Sequence, residues 1–307
     1  MKARDYAKPY RITAGSRFQL SDIDPGETRW VTSKEQAAEI LAEGVTVLAG
    51  LQEKLYAQDR WAVLLIFQAM DAAGKDSTIK HVMTGVNPQG CQVFSFKAPS
   101  AEELDHDFLW RTNTRLPERG RIGIFNRSYY EETLVVRVHP ELLEAQKIPA
   151  QLVTADIWKQ RFDDINALER SLARNGTIIR KFFLHVSKEE QRKRFLKRLE
   201  EPEKNWKFSL GDVHERERWD DYMHAYEDMI RHTATAHAPW YVIPADHKWF
   251  TRIVVASAVI GALDELELEF PRVDPGKKRE LDEARGALEA EERPRRRRAL
   301  RSSPRRP

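Results

Sequence analysis

Residues 61–79 read WAVLLIFQAMDAAGKDSTI, and this stretch decides the fold of the chain. Its first half is almost continuously apolar, which is typical of a parallel strand buried on both faces. Its second half holds Gly74 and Lys75 at the positions of the phosphate-loop pattern G-x-x-x-x-G-K-[ST], which lies between a strand and a helix. We therefore predict a strand, a phosphate-binding loop over Ala69 to Asp76, and a helix that begins near Asp76.

This loop has the chemistry of an anion site, because backbone N–H groups and a helix N-terminus attract phosphate and Lys75 adds a positive charge. The other loop residues predicted to bind phosphate are Ala72, Ala73, Gly74, Asp76 and Ser77. Two positions depart from the pattern, since Ala69 replaces the first glycine and Asp76 replaces the hydroxyl residue that usually binds magnesium. Because Asp71 and Asp76 would repel a bare phosphate chain, we expect bound Mg²⁺, which prefers carboxylate and phosphate oxygens. The alternative is an ordinary strand, turn and helix with a solvated lysine.

Strands and helices are predicted to alternate along most of the chain. Further apolar runs indicate strands near Gln92–Phe96, Arg121–Phe125, Thr177–Val186 and Trp240–Ile243. Such alternation predicts an α/β domain with a parallel sheet covered by helices on both faces. We expect this domain to span residues 1–270, with an extended arm over about residues 1–31 and long helices over about 150–173 and 212–233.

The C-terminal segment 271–307 differs in composition from the rest. It is rich in Glu, Arg, Lys and Pro and has few large apolar side chains, so it is predicted to be disordered. Eight of the 51 Lys and Arg residues lie within 293–307, which leaves 43 of them against 48 acidic residues elsewhere. Average charge therefore cannot attract a polyanion, and basic residues that bind one must be concentrated in a channel.

Composition and cysteine usage indicate the compartment. Hydrophobic residues make up 41% of the 307 residues, which is enough for a sizeable core. The single cysteine, Cys91, cannot form an internal disulfide, and no Cys and His spacing suggests zinc, so we expect a reducing cytoplasm. The N-terminus lacks the apolar segment of a signal peptide and no apolar run reaches the length of a membrane span, so we expect no membrane association.

A second group of polar residues follows the predicted strand that ends near Phe125. Ligands of parallel sheets bind at the carboxyl ends of the strands, which places the planar guanidinium of Arg127 where it can contact phosphate. Glu131 comes one turn later if a helix starts here, and it could hold a metal together with Asp71. Alternatively, Glu131 only favours the first turn of a helix through the helix dipole.

A basic cluster is predicted within QRKRFLKRLEEPEKNWK, residues 191–207. Helical spacing brings some of its members onto one face, and the others follow a proline that interrupts the helix. The members are Arg194, Lys197, Arg198, Lys204 and Lys207. Such a cluster suits the stabilisation of negative charge on a phosphoryl group in transfer, although a solvated charged helix is the alternative.

The chain carries five long motifs in a fixed order. They read AMDAAGKDSTIKHVMTGVNPQG (69–90), FSFKAPSAEELDHDFLWR (94–111), GIFNRSYYEETLVVRVH (123–139), QRKRFLKRLEEPEKNWKFS (191–209) and APWYVIPADHKWF (238–250). Together they resemble the polyphosphate kinase 2 family, over residues 11–270. The resemblance implies a P-loop kinase fold like that of thymidylate kinase, with three layers, a parallel sheet and a helical lid over about 188–210. It also implies Mg²⁺-dependent transfer of the terminal phosphoryl group of inorganic polyphosphate to a nucleotide, with Mn²⁺ as a substitute metal.

The resemblance implies roles for individual residues. Asp71, Lys75, Arg127, Arg194 and Arg198 are expected to be catalytic, Asp71 and Glu131 to bind the metal, and Lys97 and Arg111 to line the polyphosphate channel. Family members restricted to diphosphates tend to read DRSWYNR where this chain reads NRSYYEE, residues 126–132. The latter resembles the subgroup that phosphorylates both AMP and ADP.

The activity predicted from the sequence is therefore that of a polyphosphate-dependent nucleotide kinase. Its expected partners are inorganic polyphosphate, AMP, ADP and ATP, with no specific nucleic acid, and we expect a homo-oligomer. Two alternatives stay open. One is an ATP-dependent nucleoside monophosphate kinase of the same fold, and the other is a non-catalytic nucleotide- or nucleic-acid-binding module that uses the arginine-rich tail.

Overall fold

The computed structural model of the chain describes residues 4–301, without the side chains of Lys207 and of residues 292–301. These residues form two units, of which the first ends at Glu269 and the second begins at Phe270. Within the described residues, every helix is too short or too polar to cross a bilayer.

The first unit is built on one sheet. Among the described residues its six strands are Arg11–Ile12 (β1), Ala62–Gln68 (β2), Cys91–Ser95 (β3), Ile122–Asn126 (β4), Thr177–His185 (β5) and Trp240–Pro244 (β6). They lie in the order β1-β6-β5-β2-β4-β3, with β1 antiparallel to β6 and the other neighbours parallel. All residues of the central strand β2 are buried, which explains its continuous apolar sequence. The predicted parallel sheet is confirmed, and β1 adds an edge strand within the segment predicted to be an extended arm.

Helices cover this sheet. In the described part of the first unit they are Lys34–Gln58 (α1), Lys75–Val82 (α2), Ala101–Leu104 (α3), Trp110–Asn113 (α4), Val135–Val138 (α5), Ile157–Arg174 (α6), Lys188–Glu200 (α7), Leu210–Glu215 (α8), Trp219–Thr233 (α9) and Lys248–Asp264 (α10). α10 packs against β5, β6, α1 and α2, while α6 packs against β5 and α9. These two helical groups, with the sheet between them, form the three layers that the sequence predicts.

Two helices differ from their predicted extents. α6 is shorter than the helix predicted over 150–173, and the helix predicted over 212–233 is interrupted by a 3-10 segment at Arg216–Arg218. Tertiary contact holds this interruption, since Arg218 donates a hydrogen bond to the carbonyl oxygen of Val138 at 3.2 Å. Helical periodicity carries no information on such a contact between distant residues.

The carboxyl ends of four parallel strands meet at one edge of the sheet. Phe67 of β2 pairs with Asn126 of β4, and His185 of β5 pairs with Pro244 of β6. The segments that follow these strands are therefore neighbours, at the edge where ligands bind in sheets of this kind.

The second unit differs from the predicted disorder. Pro275–Arg301 forms a helix, α11, whose sequence is dominated by residues that favour helix formation without a packed core. All side chains described from Pro271 to Glu291 are exposed. Local helix propensity therefore accounts for the helix better than burial does.

Candidate active site

The phosphate loop joins β2 to α2 at the ligand-binding edge of the sheet. Gly74, which precedes α2, has a backbone φ of 106°, a conformation that glycine adopts without steric cost. Ala72 has a φ of 61°, which is uncommon for a residue with a Cβ. The first backbone amides of a helix have no partner within the helix, so the start of α2 offers donors to an anion.

Lys75 lies at the base of this loop. Its side chain is 9% exposed, and its ammonium donates a hydrogen bond to the carbonyl oxygen of Ala69 at 2.7 Å. Burial lowers the pKa of Lys75 and the nearby guanidinium of Arg127 lowers it further, although three carboxylates around the loop oppose both effects. An anion at this position would favour the charged form of the lysine, as the loop prediction requires.

Arg127 lies between two carboxylates at the end of β4. Its guanidinium donates hydrogen bonds to Asp71 at 3.1 Å and to Glu131 at 3.5 Å. The charge of Glu131 is the main cause that raises the pKa of Arg127, against the effect of burial. Glu131 also accepts a hydrogen bond from Gln68 at 2.7 Å. The guanidinium therefore lies between the two carboxylates that the sequence pairs as metal ligands.

A cavity of about 720 Å³ opens over the loop. The predicted site residues in its wall are Asp71, Ala72, Gly74, Lys75, Asp76, Ser77, Lys97, Arg127, Arg194, Lys197, Arg198 and Lys204. Three others, Ala73, Arg111 and Glu131, lie outside the wall, and the side chain of Lys207 lies outside those that the structure describes. The loop, the end of β4 and the predicted lid thus surround one space.

Arg111 supports this wall from behind. It donates hydrogen bonds to the carbonyl oxygen of Lys97 at 2.9 Å and to Glu103 at 3.3 Å, and its guanidinium lies over the ring of Phe96. These contacts hold the segment that carries Lys97, whose side chain is exposed.

Arg194 is bound to the protein through every nitrogen of its guanidinium. It donates to the carbonyl oxygens of Ala72 and Ala73 at 3.0 and 2.8 Å, and to those of Ala245 and Asp246 at 2.7 and 2.9 Å. A fifth hydrogen bond, of 2.8 Å, reaches Glu190. A guanidinium has five N–H donors, so all of them are engaged. Arg194 therefore fastens α7 to the phosphate loop and to the segment after β6.

Arg198 lies one turn further along α7 and is placed differently. Its guanidinium is 4.0 Å from Asp212 and lies over the ring of Phe195, with about a quarter of the side chain exposed. Lys197 and Lys204 both pair with Glu201. These cations can turn toward a ligand in the cavity, because their present partners are partly exposed and bind them through single contacts.

Two polar residues of α2 are engaged by neighbouring elements. Asp76 accepts a hydrogen bond from the side-chain amide of Asn126 at 2.7 Å, and the hydroxyl of Ser77 accepts one from Arg252 at 2.9 Å. The carboxylate at the position of the usual loop hydroxyl is thereby linked to the end of β4.

The carboxylates of the cavity fit a magnesium ion that arrives with phosphate. Within the described residues there is no group of three or more His, Cys, Asp or Glu side chains suited to hold a metal. Asp71 and Asp76 both line the cavity, however, and Mg²⁺ is commonly bound by one or two carboxylates together with substrate phosphates and water.

The site combines a phosphate loop at the end of a parallel sheet with a cluster of cations that lines the same cavity. Comparison with known proteins identifies the family that has this arrangement. Residues 31–271 match the family model of polyphosphate kinase 2. The chain belongs to the polyphosphate kinase 2 family.

Two relatives match the chain over nearly their whole length. An ADP-polyphosphate phosphotransferase of Rhodopseudomonas palustris is 51% identical, over 92% of this chain and 98% of that protein. An AMP/ADP-polyphosphate phosphotransferase of Meiothermus ruber is 46% identical, over 86% and 96%. The crystal structure of polyphosphate kinase 2 from Arthrobacter aurescens has a TM-score of 0.83 at 41% identity, covering 92% and 97% of the two chains. The predicted P-loop kinase fold is confirmed.

The cavity also contains side chains outside the predicted set of site residues. Lys248 lines its wall, as does Asn126, the first residue of the NRSYYEE motif that indicates the acceptor subgroup. Lys248 follows β6, so the rule that ligands bind at the carboxyl ends of parallel strands would have found it, had it been applied to that strand as it was to β4.

Proposed function

We propose that this member of the polyphosphate kinase 2 family transfers the terminal phosphoryl group of inorganic polyphosphate to ADP and to AMP. The observation that carries the proposal is the single cavity in which a phosphate loop faces the cations of the lid. A long polyanion can contact both walls at once, and the transferring group then lies where positive charge is concentrated. The names of the relatives support the same donor and acceptors.

The proposed roles follow from the contacts of each side chain. Lys75 and the first amides of α2 bind phosphate, while Arg127 and Arg198 stabilise charge on the moving phosphoryl group. Arg194 is a positioning residue in this proposal, because its donors are already engaged with backbone carbonyl oxygens. Phosphoryl transfer needs positioning and electrostatic stabilisation, and no covalent protein intermediate.

Magnesium is part of the proposal, with Mn²⁺ as a substitute. When bound, the ion would neutralise phosphate charge beside the loop, and Asp71 is the carboxylate proposed to hold it. Glu131, predicted to share the metal, accepts hydrogen bonds from Gln68 and Arg127, which supports a role in orienting Arg127. Removal of divalent ions with EDTA should abolish turnover. Asp71→Asn should raise the Mg²⁺ concentration needed for half-maximal rate. Glu131→Gln should lower the maximal rate and leave that Mg²⁺ concentration unchanged.

Acceptance of AMP is supported by the end of β4. Asn126 stands where diphosphate-restricted family members tend to have aspartate, and it donates a hydrogen bond to Asp76. One carboxylate is thus absent from the strand end and another is held in place by the amide. A smaller acceptor phosphate group could then be accommodated with its metal at a different depth.

The test is incubation with polyphosphate, Mg²⁺ and either ADP or AMP, with trace ADP removed from the AMP and products separated by chromatography. ADP should yield ATP, and AMP should yield ADP before ATP. An ATP-driven phosphorylation of AMP that is robust while polyphosphate is inert would favour an ATP-dependent monophosphate kinase instead. If ADP is converted and AMP is not, only the acceptor range is wrong.

The cytoplasm as compartment and a homo-oligomeric state are proposals that rest on the sequence. Fractionation of the source cells tests the compartment, and analytical ultracentrifugation of the purified chain tests the oligomeric state.

A further inference from the structure

Lys248 occupies a distinctive position in the cavity wall. It is the first residue of α10, and its side chain lies beside the phosphate loop, with its Cε 3.8 Å from where a Cβ on Gly74 would lie. It is exposed to solvent through the cavity, which it lines. Among the side chains that the structure describes, its ammonium has neither a hydrogen-bond nor an ion-pair partner.

The charges around this ammonium are mostly positive. Arg194 on α7, Arg252 on α10 itself and Lys204 on the 3-10 segment after α7 all face it, and Glu190 is the opposing carboxylate. Glu190 is already bound to Arg194 at 2.8 Å. Partial desolvation in the cavity wall is the largest cause that lowers the pKa of Lys248 to about 8, and the neighbouring cations add to it. An unpaired ammonium among cations is unfavourable, and an anion bound beside it would relieve this cost.

We propose that Lys248 binds a phosphate group of the polyphosphate donor, at the point where the chain passes from the phosphate loop to the lid. This inference rests on the proposed function. The donor is favoured over the acceptor because Lys248 lies beside Gly74 of the loop, has Lys204 as a charged neighbour, and shares one cavity wall with Lys75 and the lid cations Lys197 and Arg198. A chain of many phosphates can follow that series of cations, whereas AMP has a single phosphate to place.

The position predicts a pH dependence of donor binding. The free enzyme loses the proton of Lys248 as the pH rises through about 8, and the lost charge weakens the attraction for phosphate. Arginine at this position would stay charged across the same range. The KM for polyphosphate should therefore rise more steeply between about pH 7 and about pH 9 in the wild type than in Lys248→Arg.

The experiment compares Lys248→Gln, Lys248→Arg and the control Lys193→Gln with the wild type. Lys193 is an exposed lysine on α7 that pairs with Glu189 at 3.9 Å and does not line the cavity. Three quantities are measured for each: the KM for polyphosphate, the KM for ADP, and the Kd of sodium tripolyphosphate without nucleotide by calorimetry. Thermal unfolding shows whether each variant is folded.

The expected result is that Lys248→Gln raises the KM for polyphosphate and the Kd of tripolyphosphate about tenfold to hundredfold, the value of one charged hydrogen bond. The KM for ADP should be unchanged, Lys248→Arg should retain most affinity, and Lys193→Gln should match the wild type.

Three results would overturn the inference. An unchanged Kd of tripolyphosphate in Lys248→Gln means that Lys248 does not bind the donor. A change confined to the KM for ADP assigns the lysine to the acceptor instead. A loss of affinity in Lys248→Arg equal to that in Lys248→Gln means that shape and not charge matters. If the wild type binds tripolyphosphate but transfers nothing from polyphosphate, the proposed function fails while the binding comparison still decides the role of Lys248.

Discussion

Lys75 shows how one side chain links the loop conformation to the proposed chemistry. Its aliphatic part is buried under the loop, and its ammonium is fixed by the carbonyl oxygen of Ala69. A preorganised cation needs no reorganisation when charge develops on a phosphoryl group, and this is where electrostatic stabilisation is most effective. The same burial lowers the pKa of Lys75, so the lysine is most strongly held in its charged form when phosphate is present.

We predict that Lys75→Ala lowers kcat by about two to three orders of magnitude, because one preorganised donor is worth about 3–4 kcal/mol of transition-state stabilisation. The measurement is steady-state transfer from polyphosphate to ADP, with circular dichroism as a check on folding. Lys80→Ala is the matched control, since Lys80 is exposed on the same helix. A variant that is folded and retains a near-normal rate would contradict the assignment of the loop.

At the scale of residues, the sequence identifies the loop better than the lid. Gly74 and Lys75 are recognisable because local geometry and spacing determine their role. Arg194 and Arg198 share a helical face in sequence and both line the cavity, yet the donors of Arg194 are all engaged by the protein whereas Arg198 has a single long ion pair with Asp212. The difference depends on where Ala245 lies, about fifty residues away along the chain, and spacing on a helix carries no such information.

At the scale of elements, α7 is anchored at its centre by Arg194, and the turn that follows carries the cations Lys197 and Arg198 of the lid. Arg194 is 8% exposed and binds four backbone carbonyl oxygens from two segments, the phosphate loop and the residues after β6. Each of these carbonyl groups would lose its partner if the guanidinium were removed. The helix thus begins as part of the rigid site and continues into the lid.

We predict that Arg194→Met and Arg198→Met separate structure from catalysis on one helix. Arg194→Met should lower the free energy of unfolding by about 3 kcal/mol or more, since buried acceptors are left unsatisfied. Arg198→Met should change it by less than about 1 kcal/mol while lowering kcat, because its contacts are partly exposed. Urea unfolding and steady-state rates measure both quantities. Equal stability in the two variants would mean that Arg194 does not hold the loop.

The elements that were predicted well share one property. β2 and β5 are buried along almost their whole length, so apolar residues dominate both, without interruption in β2 and on either side of Arg180 and Lys181 in β5. β1 has two residues and exists only because it pairs with β6, and the 3-10 segment at Arg216–Arg218 exists because of its tertiary hydrogen bonds. Short elements of this kind are determined by residues far away in the sequence, so no local sequence pattern predicts them.

At the scale of the whole molecule, burial of a titratable group links stability to pH. His185 ends β5 and is 8% exposed, and among the described residues its Nδ1 has no hydrogen-bond partner. Burial lowers the pKa of His185 to about 4, although Asp246 and Asp24 oppose the shift. An unfolded histidine titrates near about 6.5. Between these values the unfolded chain binds a proton that the folded chain does not.

We therefore predict that stability is fully present above about pH 6.5 and falls as the pH is lowered toward about 4, by at most roughly 3 kcal/mol from this residue. Urea unfolding of the wild type and of His185→Gln across this range measures the effect. The variant lacks the titrating ring, so its stability should depend less on pH. Parallel pH profiles would show that other groups cause the acid sensitivity.

The distribution of charge over the whole chain leads to the last prediction. The net charge of +3 depends on the arginines of the C-terminal segment, and the rest of the chain is acidic on balance. The cations that face the cavity nevertheless lie in the first unit, and the family match ends at residue 271. We predict that a chain ended after Phe270 retains the kcat, the KM for polyphosphate and the free energy of unfolding of the full chain, because the side chains described from Pro271 to Glu291 are exposed and bury no apolar surface.

Steady-state kinetics and urea unfolding of the two chains test this expectation. The salt dependence of the KM for polyphosphate distinguishes direct binding of the donor by the arginines from long-range electrostatic attraction. A full-length chain with glutamine in place of the arginines of 293–306 is the matched control, because it keeps the length and removes the charge. If truncation leaves the fold intact but raises the KM for polyphosphate, and the glutamine variant does the same, the arginines contribute to donor binding. The loss should then fade as salt is added, since exposed charges are screened over about 10 Å at moderate ionic strength. If truncation lowers the free energy of unfolding while the glutamine variant does not, the segment packs through its backbone or apolar groups, and its charge is incidental to the fold.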